Sequence, residues 1–172
     1  MSRAFAKDDG PDEPPVVAPR APLPAGVANY VTPRGLALLR SERVELQAER
    51  AAADADHADE LERSRRLTVL AARLAMLAER LARVQLVEPR PSDTARFGAT
   101  VTFRSSADEA ERTLTIVGVD EADAALGLVA FTAPVARTLT GTRAGDAVDL
   151  PTAAGVERLT VVAVNYGGAG AA

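Results

Sequence analysis

A regular ladder of apolar residues in the middle of the chain limits its fold more than any other feature. Successive members are separated by three, four, three, four and three residues: Leu67, Leu70, Leu74, Leu77, Leu81 and Val84. This spacing places all six side chains in one stripe along a helix, and such a stripe is buried against a second helix. Pro89 and Pro91 end the helical part, because proline cannot continue a helix.

The segment before the ladder supplies a second helix. Thr32 can cap its N-terminus, and Pro33 suits the first helical position. Apolar residues follow at stripe spacing if arginines fill the intervening positions: Leu36, Leu39, Arg43, Leu46, Arg50 and Ala53. Gly35 in the first turn is a cost that helix propensity does not explain. With a break at residues 53–58 the two helices form an antiparallel hairpin over residues 30–88.

The alternative to a hairpin is a parallel dimer through the ladder alone. A hairpin satisfies the ladder within one chain, so it predicts a monomer, whereas the dimer requires two copies. Sedimentation separates the two arrangements.

From residue 96 the apolar spacing changes to alternation, which is typical of β-strands. Five segments have this character: 98–103, 112–117, 127–132, 147–150 and 157–166. A short helix is predicted at 134–140, because Pro134 suits a first helical position and Gly141 a left-handed helix stop. The chain is therefore expected to be an α+β protein. A helical hairpin precedes a small, mostly antiparallel β domain at 95–166.

Composition excludes several kinds of site. The chain has no cysteine, and His57 is its only histidine. Disulfides, thiolate zinc sites, histidine metal clusters and Ser-His-Asp hydrolases are therefore excluded. A net charge of −4 argues against a general nucleic-acid binder, which is usually basic. It suits a protein that enters a positively lined cavity of a larger partner.

The two ends of the chain have a different composition. Residues 1–29 hold six prolines, several acids and few large apolar groups, which predicts a disordered leader. Residues 167–172 are predicted to be a disordered tail. No apolar run reaches transmembrane length, and the first residues have no apolar signal core. We expect a cytoplasmic protein without a membrane partner.

The most specific stretch is residues 131–151, FTAPVARTLTGTRAGDAVDLP. It resembles the C-terminal domain of the GreA/GreB family of bacterial transcription elongation factors, which shows a similar Ser-Pro-Ile-Ala-Arg-Ala-Leu-Leu-Gly…Gly-Asp…Pro-Gly-Gly pattern. Residues 117–123, VGVDEAD, are similar to the same family's preceding segment. The Thr-Pro-x-Gly helix start at 32–35 resembles the start of its coiled coil. The resemblance covers residues 29–166 and implies an FKBP-like β domain, the fold of the FK506-binding prolyl isomerases.

This resemblance implies a function inside RNA polymerase. In the family, the hairpin projects through the secondary channel, and tip carboxylates help to hold the second Mg²⁺ of the polymerase, which cuts backtracked RNA. Hard Mg²⁺ prefers carboxylate oxygen, and two-metal cleavage needs ligands for both ions. The implied protein is a transcription elongation factor that modulates elongation or backtracking, with cleavage stimulation as one outcome. It is not an enzyme, has no cofactor or stably bound metal, and meets RNA and DNA indirectly.

The acids that could act at the polymerase centre lie at the predicted hairpin tip: Asp54, Asp56, Asp59 and Glu60. They depart from the family's tip pattern, whose Asn and Tyr are missing here. Aligned from residues 85–87, Asp56 stands opposite the family's tip Glu and Ala53 opposite its tip Asp. The hairpin also looks shorter than the family's by about a dozen residues. Divided between the two helices, this is about six residues in each, or ~9 Å of reach.

The tip acids allow two interpretations. They act directly at the catalytic centre of the polymerase, or they have only a structural role. The acids can simply cap the second helix and complement its positive end. The short hairpin and the altered tip favour weak or absent cleavage. A non-cleaving channel-binding regulator of the anti-Gre or Rnk type is therefore the alternative function.

A second candidate surface would dock on the rim of the polymerase channel. The residues that match the family there are Asp120, Ala133, Pro134 and Arg137. The family's serine is Ala133 here, so a hydrogen bond from that hydroxyl is lost, and Ala-Pro-Val is closer to the Rnk branch. Arg137 either pairs with an acid within the domain or contacts the polymerase.

Two further interpretations concern the arginine run after the tip and the aromatic residues of the β domain. The run Arg63, Arg65 and Arg66 faces RNA or channel phosphates, or it is the solvated face of a helix. Prolyl isomerase activity would need an aromatic-lined site, and the β domain offers only four aromatics: Phe97, Phe103, Phe131 and Tyr166. A proline-peptide isomerisation assay tests this activity directly.

Overall fold

The computed structural model describes residues 17–167, and its first half is an antiparallel pair of helices. Helix α1 (Pro33–Ala55) and helix α2 (Glu60–Ala82) contain 23 residues each, a length of about 34 Å at the usual helical rise. The Thr32 hydroxyl caps α1 by accepting a hydrogen bond from the Gly35 amide at 2.9 Å. The predicted hairpin is confirmed, and it buries the ladder within one chain.

The seam between the helices depends on few residues. In α1, Leu39, Leu46 and Ala53 recur every seven residues and are at most 2% exposed. In α2, Leu70 and Leu77 are buried, and the remaining ladder residues are partly buried against them. The arginines assigned to the α1 stripe, at 43 and 50, are exposed instead, because a guanidinium is costly to desolvate in an apolar seam.

A two-stranded sheet closes the base of the hairpin, and the sequence analysis did not predict it. Strand β1 (Asn29–Val31) pairs in parallel with strand β2 (Val84–Leu86), with Asn29 opposite Val84. The buried Asn29 side chain donates to the carbonyl of Arg80 at 3.3 Å. The ladder spacing assigns Val84 to the helix, but α2 ends at Ala82 and Val84 belongs to β2. Helical signals next to both strands therefore hid them.

The second half of the chain is a five-stranded sheet. Its strands are β3 (Ala99–Ser105), β4 (Glu111–Val117), β5 (Leu128–Ala130), β6 (Ala147–Thr152) and β7 (Gly155–Tyr166). Their order is β5-β4-β3-β7-β6, and every pair is antiparallel except β4 with β5. The prediction of a mostly antiparallel β domain is therefore confirmed.

One short helix covers the core of this sheet. Helix α3 (Pro134–Leu139) buries Ala136 and Leu139 in a cluster with strand residues such as Val101, Ile116 and Leu159. Gly141 follows with φ 92°, a left-handed conformation that glycine adopts without strain. The predicted helix and its glycine stop are both present.

The predicted leader is only partly visible. Residues 1–16 of the leader, and residues 168–172 of the predicted tail, lie outside the described residues. Residues 17–28 form no helix or strand. Arg20 nevertheless pairs with acids of the hairpin and of the β domain, a contact that the proline-rich composition does not indicate.

Candidate functional site

The hairpin tip is the loop 56–59, and two of its acids bind the backbone of the loop and of the next helix. The Asp56 carboxylate accepts a hydrogen bond from the Ala58 amide at 3.1 Å. Asp59 is the N-cap of α2 and accepts from the Glu62 amide at 3.0 Å. Amides in the first turn of a helix have no partner within the helix, so Asp59 satisfies a group that otherwise needs water. Asp56 does the same for a loop amide.

Arg63 holds the other two tip acids. Its Nη2 donates to both oxygens of Glu60, at 2.6 and 2.7 Å, and its Nη1 lies 3.6 Å from Asp54 Oδ1. The hydrogen bond to Glu60 raises the pKa of Arg63 above its ordinary value. Arg63 thus connects the end of α1 to the start of α2, so one member of the arginine run has an internal role.

The tip contains no assembled metal site. Within residues 17–167, no three His, Asp or Glu side chains group closely enough to hold a metal ion. Asp54 and Glu60 are 72% and 79% exposed, and exposed ion pairs separate at little cost. What the tip can offer a partner is therefore two carboxylates, at the end of a rod about 34 Å long.

Three of the four predicted docking residues come together on α3. Pro134 is exposed at the first helical position, and Ala133 is half-buried at the N-cap without a side-chain hydrogen bond. Arg137 is exposed one turn later. Among residues 17–167, no carboxylate pairs with Arg137, so the interpretation of an in-domain ion pair has no support.

The fourth residue, Asp120, is enclosed at the junction between the hairpin and the β domain. Its side chain is 6% exposed and lies 3.0 Å from Arg20 and 3.5 Å from Arg80. Arg20 also contacts Glu42 of α1 at 2.8 Å. The Asp120 carboxylate therefore pairs with arginines of this protein, and it does not belong to the exposed face of α3.

Glu121 completes the junction, and the sequence analysis missed it. Its side chain is 1% exposed and accepts hydrogen bonds from the Thr32 hydroxyl at 2.5 Å and from Arg34 at 3.0 Å. It lies at the first turn of α1, where the positive helix end favours a carboxylate. A Cβ on Gly35 would be 2.7 Å from Glu121 Oε2, which explains the glycine. The Thr-Pro-x-Gly start and the VGVDE segment both match the family in sequence, but sequence alone does not show that they contact each other.

Close backbone approach and aromatic packing secure the same junction. A Cβ on Gly118 would lie 2.7 Å from the carbonyl of Tyr30. The Tyr30 ring packs against Phe97 and Phe131, with ring centres 6.0 and 5.5 Å away. Phe103 is buried in the core of the β sheet instead. Of the other aromatics considered for an isomerase site, Phe97 packs on Phe131 with ring centres 5.8 Å apart and lines one surface groove with Tyr166. Charged side chains line the same groove, so it is not an aromatic cradle.

None of the helices within the described part of the chain is long and apolar enough to cross a membrane. The two long ones belong to the hairpin, and their buried apolar residues form one stripe.

Known proteins are similar to this chain in sequence. Residues 90–166 match the family model described as transcription elongation factor, GreA/GreB, C-term. The chain is 34% identical over 154 residues to the transcription elongation factor GreB of Neisseria meningitidis serogroup A, covering 80% of this chain and 94% of that relative. It is 34% identical over 104 residues to GreA of Acidiphilium cryptum, covering 59% of this chain and 66% of GreA.

Solved structures include a prokaryotic GreA/GreB factor from Nitrosomonas europaea, with 24% identity, a TM-score of 0.39 and coverage of 80% of this chain and 98% of that one. The match to the Neisseria relative extends over nearly the whole of that protein and includes both the hairpin and the β domain. The chain therefore belongs to the GreA/GreB family of transcription elongation factors.

Proposed function

We propose that this protein binds bacterial RNA polymerase at its secondary channel and modulates elongation or backtracking. The observation that carries this proposal is the geometry: a rod about 34 Å long, built on a small β domain, with Asp54 and Glu60 exposed at its end. An acidic tip and a net charge of −4 suit a positively lined cavity. The protein meets RNA and DNA only within the elongation complex.

The exposed face at the start of α3 is the proposed docking surface. Pro134 and Arg137 lie one helical turn apart on this face and are both open to solvent, so they can meet the rim of the channel together. A desolvated proline and an arginine are the kinds of contact that a protein interface uses.

Association with core RNA polymerase tests the docking surface. We expect Pro134→Asp to weaken co-purification with the polymerase at least tenfold, because it places a carboxylate in the contact. Pro151→Asp, at an exposed proline of β6, is the matched control. Full affinity in Pro134→Asp would remove the docking assignment.

A second candidate function is a channel-binding regulator that does not stimulate cleavage. The contacts within the tip favour it, because Asp56 and Asp59 serve the backbone and Arg63 holds Asp54 and Glu60. A metal ion of the polymerase needs several oxygens at once, and at this tip it would gain those of Asp54 and Glu60 only by displacing Arg63.

A transcript-cleavage assay on a stalled, backtracked complex separates the two functions. We expect replacement of Asp54, Asp56, Asp59 and Glu60 by alanine to change cleavage little, while effects on pausing persist. A large loss of cleavage would show that the tip supplies ligands and would reject the non-cleaving function.

We also propose that the protein acts as a monomer without catalytic activity of its own. The ladder is buried by α1 of the same chain, which supports the monomer, and sedimentation equilibrium tests it. The groove that Phe97 shares with Tyr166 is also lined by the charged residues Glu88, Arg90 and Arg96, which suit an apolar proline ring poorly. This lining supports the absence of isomerase activity, and turnover of a proline peptide would contradict it.

A further inference from the structure

The N-terminal segment 17–28 lies against the hairpin along one side of its base. Pro19 and Leu23 line a groove with Met76 and Arg80 of α2, and the Ala21 carbonyl accepts a hydrogen bond from Arg80 Nη2. The segment has no secondary structure of its own. Its position is therefore set by these side-chain contacts.

Arg20 joins three parts of the chain. Its Nη1 and Nη2 donate to the two oxygens of Glu42 on α1, at 2.8 and 3.0 Å. Its Nη2 and Nε donate to Asp120 of the β domain at 3.0 and 3.3 Å. The hydrogen bonds to Glu42 raise the pKa of Arg20 above its ordinary value, so the guanidinium stays charged. A planar guanidinium makes these four contacts from three nitrogens, whereas an ammonium has three donors on one nitrogen and cannot reproduce them.

Asp120 depends on this arginine. Both hydrogen bonds that its side chain accepts from described residues come from Arg20, and its Oδ2 has only the 3.5 Å ion pair with Arg80. The side chains of Asp120 and Arg80 are 6% and 9% exposed. A buried carboxylate without hydrogen bonds is strongly unfavourable. Without Arg20, Asp120 would keep only the 3.5 Å ion pair with Arg80, and the contact between this carboxylate and α1 through Arg20 would be lost.

We propose that residues 17–28 are a strap that fixes the angle between the hairpin and the β domain, and that Arg20 is the contact that closes it. The strap lies beside the junction formed by Glu121 and Tyr30, and it adds the only bridge from the N-terminal segment to both halves that the described residues contain. Its release leaves both halves folded but lets their relative orientation vary.

Distances between spin labels test the strap. The chain has no cysteine, so labels can be placed specifically at Ala48→Cys on α1 and Ala153→Cys in the turn between β6 and β7, both exposed. We expect one narrow distance distribution in the full chain. In Arg20→Met we expect a roughly twofold wider distribution, because a released hinge samples several orientations.

Two further variants make the test specific. Arg20→Lys keeps the charge but loses the forked contacts with Glu42 and Asp120, so an intermediate width is expected. Arg158→Met removes an exposed arginine, paired with Asp149 at 3.3 Å, and should leave the width unchanged. An unchanged width in Arg20→Met would overturn the proposal. So would loss of the helical circular dichroism signal, because a strap that sets only an angle is not needed for the helices to form. Polymerase is absent from this measurement, so its result does not depend on the proposed function.

Discussion

Gly35 is the residue that best shows how one position couples the two halves of this molecule. In an isolated helix it would be a defect, since glycine costs about 1 kcal/mol relative to alanine. Here it leaves room for Glu121, whose carboxylate binds Thr32 and Arg34 at the start of α1. The local cost of the glycine is offset by a buried contact between segments far apart in the chain.

Gly35→Ala is therefore expected to destabilise the protein by about 1–2 kcal/mol, because the new Cβ displaces a buried, bonded carboxylate. In a Glu121→Ala background the same change should stabilise it by about 0.5–1 kcal/mol, the ordinary helix preference for alanine. Urea denaturation of the four proteins in this cycle measures both values. Stabilisation by Gly35→Ala in both backgrounds would contradict the proposed clash.

At the level of elements, the hairpin depends on a few buried positions and on its caps. Leu46 is 1% exposed in the seam, whereas Val44, two residues away on the same helix, is 61% exposed. Asp59 caps α2 through one hydrogen bond. Packing in the seam and capping of α2 therefore contribute separately to the free energy of unfolding, and each contribution can be measured.

Leu46→Ala should lower the free energy of unfolding by about 2–5 kcal/mol, since it removes buried methyl groups and leaves a cavity. Val44→Ala is the matched control and should change it by less than about 0.5 kcal/mol. Thermal and urea unfolding followed by circular dichroism compare the two. Equal effects would show that Leu46 does not lie in the seam.

Asp59→Ala should cost about 1 kcal/mol, the usual value of a lost N-cap, whereas Asp59→Asn should cost only a few tenths because asparagine caps equally well. The same unfolding measurements apply. A similar loss in both variants would mean that the charge of Asp59, and not its cap, stabilises the tip.

For the molecule as a whole, the distance from the β domain to the tip decides which contacts the acids can reach. One extra heptad in each helix keeps the seam in register and lengthens the rod by about 10 Å. Duplicating residues 47–53 and 64–70 achieves this and leaves Glu42 and Arg80 at the junction.

If reach limits the effect on cleavage, RNA polymerase should cut backtracked RNA faster with the lengthened protein than with the natural one. The same lengthened protein with Asp54→Ala and Glu60→Ala should not have this effect, because metal ligation needs carboxylate oxygen. Equal cleavage with the natural and lengthened proteins would show that tip chemistry, and not length, is limiting.

Periodicity was enough to predict the two long helices and the five strands of the β domain, and the Pro134 and Gly141 signals predicted the short helix, because each is a local pattern. It could not predict the β1–β2 pair or the enclosure of Asp120. Arg20 and Asp120 are 100 positions apart in the chain, and nothing local indicates that they meet. The α3 face was predicted through resemblance. Capping of the second helix by a tip acid was predicted from residue type, and Asp59 is the cap, but the pairing of Arg63 with Asp54 and Glu60 was not predicted.

The pairing of β1 with β2 has a consequence for how proteins of this design can change. Residue Val84, where the chain returns from the hairpin, lies opposite Asn29, within two positions of where the chain departs. Whatever is spliced between these points begins and finishes at almost the same place. Insertions or deletions of whole helical turns can therefore accumulate in the hairpin without changing the path of the rest of the chain. The length of the hairpin can thus vary, in evolution or by engineering, while the β1–β2 pair at its base stays the same.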